Sequence, residues 1–157
     1  MQKKMFRDRV SVLIVRDQKV LGFYGVDPTN QSRHFFLPGG LIEPGESAAE
    51  AAIRETKEET GCEIVLLADT ELLKRYDFQW NGQLNDCHTR FFVGRIVRER
   101  FAPVRDANYH QGVFWIGVDV VASLFAGRPE ILEAVLELLP KAIEFSLPHA
   151  ESHTKQD

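Results

Sequence analysis

The chain is poor in the features that would place it in a membrane or brace it with sulfur. No apolar run approaches the roughly 18–20 residues that a membrane-spanning helix needs. The opening Met-Gln-Lys-Lys-Met-Phe-Arg-Asp-Arg lacks the apolar core of a secretory signal, so the cytoplasm is the expected location. Only two cysteines occur, Cys62 and Cys87, and their spacing fits no metal-ligand motif; free thiols are expected. Long basic runs are missing too, and the formal net charge is −4, which argues against a protein that coats nucleic acid. Internal repeats and low-complexity segments are absent.

What is present suffices for one globular domain. The 157 residues are 44% hydrophobic, enough for a sizeable core. Strand-like runs are predicted at residues 10–15 and 19–26, joined through Asp17-Gln18, and at 35–37, 63–67, 72–78, 87–97 and 112–118. Asn81-Gly82 marks a hairpin, and Phe91-Phe92-Val93 is expected in the core. Asp119 is expected to cap a short helix reaching Phe125, and Pro129 to open a last helix over 130–139. Strands interleaved with helices predict an α/β domain over residues 1–144, followed by a weakly ordered polar tail at 145–157.

The densest information lies at residues 40–61. Ser47, with Glu50 three residues on, is the capping-box signature of a helix start, and Gly61 suits its end. Ala49, Ala52, Ile53, Thr56 and Thr60 form a stripe expected to pack on a sheet. Glu55, Glu58 and Glu59 share an arc of roughly 100° on another side, where like charges repel. They read either as a solvated face with Arg54 and Lys57 as counter-ions, or as a cation site. The second reading gains from Glu46 just ahead of the helix and from Leu37-Pro38-Gly39-Gly40, a turn with exposed backbone. Carboxylates and a carbonyl are the hard oxygen ligands that Mg²⁺ or Mn²⁺ takes.

Gly40, five residues, Glu46, seven residues, Arg54-Glu55, two residues, Glu58-Glu59, one residue and Gly61 resembles the Nudix box, with Thr56 and Cys62 where the pattern has aliphatic residues. The resemblance implies the Nudix fold, a mixed β-sheet sandwiched between α-helices. It implies a Mg²⁺-dependent hydrolase, with Mn²⁺ a possible substitute, that cleaves a nucleoside diphosphate derivative. Glu55, Glu58, Glu59 and the Gly39 carbonyl would hold the metal. Glu55 would serve as base or ligand, and Arg54 would orient a glutamate. Glu46 is either a further ligand or a tie between loop and helix.

The resemblance leaves the substrate open. Nucleotide sugars and (deoxy)nucleoside triphosphates lead, followed by dinucleoside polyphosphates and RNA 5′ ends. A nucleotide sensor is the alternative of another class, disfavoured because the box glutamates remain. Homodimers are common in the family. Many members add an acidic residue just before the strand at 112–118, where this chain has Asn108-Tyr109-His110-Gln111-Gly112; Glu99, Asp106 and His110 are the substitutes considered as base. Tyr24 and Gly25 stand where relatives place arginines, leaving Arg33 and His34 as candidate phosphate contacts. Phe36, Tyr76, Phe78 and Trp80 offer faces for a nucleobase, with Phe78 the favoured one alongside Trp80.

Overall fold

The computed structural model describes residues 2–99 and 110–148. Eleven elements follow in chain order: β1 (Met5–Arg16), β2 (Lys19–Val26), β3 (Arg33–Phe36), β4 (Gly39–Leu41), α1 (Ala48–Thr60), β5 (Cys62–Leu66), β6 (Leu72–Trp80), β7 (Gln83–Glu99), β8 (His110–Gly117), α2 (Val118–Leu124) and α3 (Pro129–Ser146). The strands form one mixed sheet in the order β3-β2-β1-β7-β5, with β4 also paired to β1, β6 to β7 and β8 to β2. β1 and β7 run parallel from Met5↔Asn85 to Ile14↔Gly94, and the other pairings are antiparallel.

Both faces of the sheet are covered, as the alternation along β1 requires. Val10, Val12 and Ile14 point to the face where α1 lays Ala51 and Ala52. Leu13 and Val15 point the other way, towards Ala134, Val135, Leu138 and Ala142 of α3. Phe91 and Val93 share the α3 face and Phe92 the α1 face, all buried. Cys62 and Cys87 are buried free thiols. No described helix is long and apolar enough to cross a membrane.

The local signals at α1 and the hairpins act as anticipated. Ser47 Oγ accepts from the Glu50 N–H at 3.0 Å, and the Glu50 carboxylate accepts from the Ser47 N–H at 2.8 Å. Gly61, at φ 75°, ends the helix. Asp17 and Gln18, and then Asn81 and Gly82, all take positive φ, which closes two-residue hairpins.

Several expectations are corrected. Residues 39–41 form strand β4 on β1, not a free turn. β1 begins at Met5, five residues before the predicted start, because its first half is paired to β7 rather than buried by apolar neighbours. The stripe of α1 that meets the sheet is shifted: Ala49 is exposed, Ile53 is 39% exposed, and Ala51 is buried. The glutamate arc takes part of the inward face, so Ile53 turns out. Asp119 sits within the first turn of α2, whose N-cap is Gly117 with no side-chain cap. α3 continues past Pro140 to Ser146, and Arg95 places its guanidinium 4.4 Å from the centre of the Phe145 ring, so residues 145 and 146 belong to the helix. The rest of the predicted tail from 149 lies outside the described residues.

Replacing Ser47 with Ala should remove the reciprocal cap and cost about 1 kcal/mol, lowering the thermal midpoint by about 2–4 °C. An unchanged midpoint by calorimetry would mean that packing alone fixes the start of α1.

Candidate active site

The acidic end of the site is organised by Arg54. Its Nε donates to Glu46 Oε2 at 2.6 Å, and Nη2 donates to Glu46 Oε1 at 2.9 Å and to the Leu41 carbonyl at 3.0 Å. Nη1 donates to Glu55 Oε1 at 2.9 Å and reaches both Glu58 oxygens at 3.4 Å. Glu46 also accepts from the Glu43 N–H at 2.9 Å, and these bonds, Arg54 first, hold its carboxyl down at about 2. Glu46 therefore ties the 43–46 loop to α1.

Glu59 is placed differently. Its Oε1 accepts from the Gly39 N–H at 2.8 Å, but burial pushes its carboxyl up to about 8, with the charge of Glu55 adding to the shift. Burial also raises Glu55, against the pull of Arg54. These approaches need glycine in β4. A Cβ at Gly39 would lie 2.1 Å from the Val10 carbonyl oxygen, and one at Gly40 would lie 2.5 Å from the Glu55 carboxyl.

Glu55 and Glu59 open into a cleft of about 280 Å³. Gly39 and Gly40 form part of its wall, and Arg7, Arg9 and Ser11 of β1 with Asn85 and Cys87 of β7 also line it. The far wall is aromatic: Phe78 and Trp80 stack at 6.0 Å and 18°, and Phe36 meets both rings edge-on, at 6.1 and 5.5 Å. Arg128, the N-cap residue of α3, lies 5.7 Å from the Phe36 ring and 4.9 Å from Phe125, and donates to the Phe35 carbonyl at 2.7 Å. Burial lowers it to about 10, so it is still cationic at neutral pH.

Of the residues singled out from sequence, Gly39, Glu55, Glu59 and Phe78 line this cleft. Phe36, Tyr76 and Trp80 line it as well. Arg54 and Glu58 do not line it and are joined to it through Glu55. Arg33 lies elsewhere, with its guanidinium 3.8 Å from the centre of the Tyr24 ring, because position 33 of β3 points away from the cleft. His34 packs edge-on to Phe78, and its ring nitrogen meets Ser32 Oγ at 3.0 Å. Glu99 is 2.5 Å from Arg16, outside the cleft lining. His110 starts β8 opposite Gly25, and Asp106 lies outside the described residues. Arg7, Arg9, Asn85 and Arg128 were not anticipated. The alternation Arg7-x-Arg9-x-Ser11, continuing the inward phase of Leu13 and Val15, was the available signal.

No three His, Cys, Asp or Glu side chains among the described residues are gathered as a ready metal site. The donor chemistry nevertheless fits a hard divalent cation. Two carboxylates are desolvated within each other's field, a state that burial disfavours and a cation would relieve. Such a cation would compete with Arg54 for Glu55 and Glu58.

The NUDIX domain family model matches residues 5–138 of this chain. The chain belongs to the Nudix family of hydrolases. It is 27% identical over 108 residues to the asymmetrical bis(5′-nucleosyl)-tetraphosphatase of Rattus norvegicus, covering 69% of this chain and 72% of that protein. It is 29% identical over 112 residues to the CTP pyrophosphohydrolase of Escherichia coli (strain K12), covering 68% and 72%. Among solved structures, a NUDIX hydrolase from Nitrosomonas europaea superposes with a TM-score of 0.65 at 22% identity, covering 94% of this chain and 98% of that one, which establishes the shared fold. The Nudix helix is thus α1, and the box glycine Gly40 belongs to β4.

Two predictions follow from this geometry. Gly39→Ala, which drives a Cβ into backbone, should destabilise the protein by about 1–3 kcal/mol or more, whereas Gly40→Ala meets only a movable carboxyl and should mainly displace Glu55. Denaturation midpoints for the two variants check this, and equal losses would refute it. The raised Glu59 carboxyl sets the pH dependence of the metal-free protein. Its stabilising contribution is complete below the ordinary value of 4.5 and is lost as pH rises through about 8. In EDTA the midpoint should therefore fall between pH 5.5 and 8.5, and Glu59→Gln should flatten that decline. An identical slope in the variant would remove Glu59 as its source.

Proposed function

We propose that this Nudix hydrolase is a pyrophosphohydrolase that cleaves a phosphoanhydride bond in a nucleoside derivative carrying at least two phosphates, using Mg²⁺ or Mn²⁺. One observation carries the reading: the carboxylates of α1 open into the same cleft as three arginines and a stacked aromatic wall. Anionic phosphates, a hard cation and a nucleobase call for these three surfaces together.

Glu55, Glu58, Glu59 and the Gly39 carbonyl would hold the cation. When bound, such an ion neutralises phosphate charge and lowers the pKa of a water nucleophile. Glu55 is the candidate base, since its desolvated carboxyl accepts a proton more readily than an exposed one. Arg54 fixes the directions of Glu46 and Glu55 and stays off the substrate. Phe78, with Trp80 and Phe36, would take the nucleobase. Nucleotide sugars, nucleoside triphosphates and dinucleoside polyphosphates all satisfy these demands, and the named relatives act on members of the last two classes. Action in the cytoplasm belongs to the same reading.

The test is product release from a panel of these three classes, with Mg²⁺ and with EDTA. Turnover of at least one class with Mg²⁺ and none in EDTA is expected. Glu55→Gln and Glu59→Gln should each lower kcat by about 10²–10⁴-fold while remaining folded. Full activity in EDTA, or undiminished kcat in both variants, would defeat the proposal.

A further inference from the structure

The three arginines of the cleft are not equivalent. Arg7 donates its Nε to Asn85 Oδ1 at 3.0 Å, and Asn85 is itself fixed by the Phe78 carbonyl at 3.1 Å. Arg128 donates Nη2 to the Phe35 and Leu124 carbonyls at 2.7 and 3.3 Å. Arg9 has no hydrogen bond or ion pair among the described residues, although it lies on the central strand, half-buried, opposite Leu41 of β4 and Thr89 of β7. Its charge is felt in two directions. It stabilises the ionised carboxyls of Glu55 and Glu59 at one end, and the ionised forms of Tyr76 on β6, the strand of Phe78 and Trp80, and of Cys87 on β7. Arg9 thus lines the one cleft that holds both the acidic end and the stacking wall.

A half-buried guanidinium whose donors meet no acceptor among the described residues can exchange its water for an anion at little cost. The planar fork matches two phosphate oxygens, and Arg9 is the cleft arginine with none of its donors engaged among the described residues. We propose that Arg9 binds the phosphate adjacent to the one held at the Glu55–Glu59 end, so that the cleft selects a diphosphate unit over a monophosphate. This rests on the hydrolase reading and deepens it. The competing role is internal: Arg9 as a mere counter-ion for Glu55 and Glu59, with no contact to substrate.

Equilibrium binding of ADP and of AMP in EDTA, by calorimetry, separates the two. The wild type should favour ADP by about tenfold, the worth of one charge-assisted contact. Arg9→Met should bind both nucleotides alike, Arg9→Lys should recover part of the preference, and Arg75→Met, on the outward face of β6, should retain it in full. A counter-ion role would instead leave the preference intact in Arg9→Met while lowering its melting midpoint in EDTA. That result, or a wild type without preference, overturns the assignment. The hydrolase reading fails separately, through absence of metal-dependent turnover in the panel, whatever Arg9→Met does to the ADP preference.

Discussion

Arg54 offers five N–H donors in a rigid plane, and Glu46, Glu55, Glu58 and the Leu41 carbonyl all accept from it. Without that plane the acidic face of α1 would be several carboxylates in mutual repulsion at the edge of a sheet. With it, the 43–46 loop, the end of β4 and two turns of helix share one centre of charge. A guanidinium suits this work better than an ammonium because its directions are fixed, so each carboxylate is aimed as well as neutralised. The side chain is about a quarter exposed, which leaves its bonds only partly screened by water.

From that anchor the cleft takes its polarity. β1, β7 and β6 place alternate residues on one face, and the same phase that puts Leu13, Val15, Phe91 and Val93 under α3 puts Arg7, Arg9, Asn85 and Cys87 into the cleft. Helix α3 ends that core where Arg128 caps it, and beyond the cap the sheet face is lined by charge. The site is thus a continuation of the core surface with its composition changed, held by the same parallel ladder between β1 and β7. That ladder fixes where Arg9 stands relative to β4 and therefore relative to Glu59.

Features governed by near neighbours were legible in the sequence. The capping box at Ser47 and Glu50, the Asn81-Gly82 hairpin, the span of β2 and the burial of Phe91-Phe92-Val93 depend on local spacing, and all are present. So was the clustering of Glu55 and Glu59, which the helical period dictates. Features set by distant partners were not. Arg7 and Arg9 fell outside the strand predicted at 10–15 because nothing nearby announces their pairing with Cys87 and Thr89 of β7. Gly39-Gly40 looked like a turn because β4 exists only through β1. Ile53 was assigned inward by helical spacing with Ala49, Ala52, Thr56 and Thr60, whereas the structure buries Ala51, Ala52 and Thr56, turns Ile53 outward and gives part of the inward side to carboxylates.

That exchange of Ile53 for carboxylates is the clearest sign of what the helix is for. An inward Ile53 and outward glutamates would have favoured stability through burial of apolar surface and hydration of charge. The fold instead exposes the isoleucine and desolvates Glu59 so far that its proton is held to about pH 8. Gly39 softens the burial with one N–H but cannot cancel it, since a single dipole does not replace a hydration shell. A cation that displaces this proton meets a carboxylate with little competing water. The free energy that folding gives up at Glu59 is therefore available again when positive charge arrives, which couples occupation of the site to the stability of the helix that carries it.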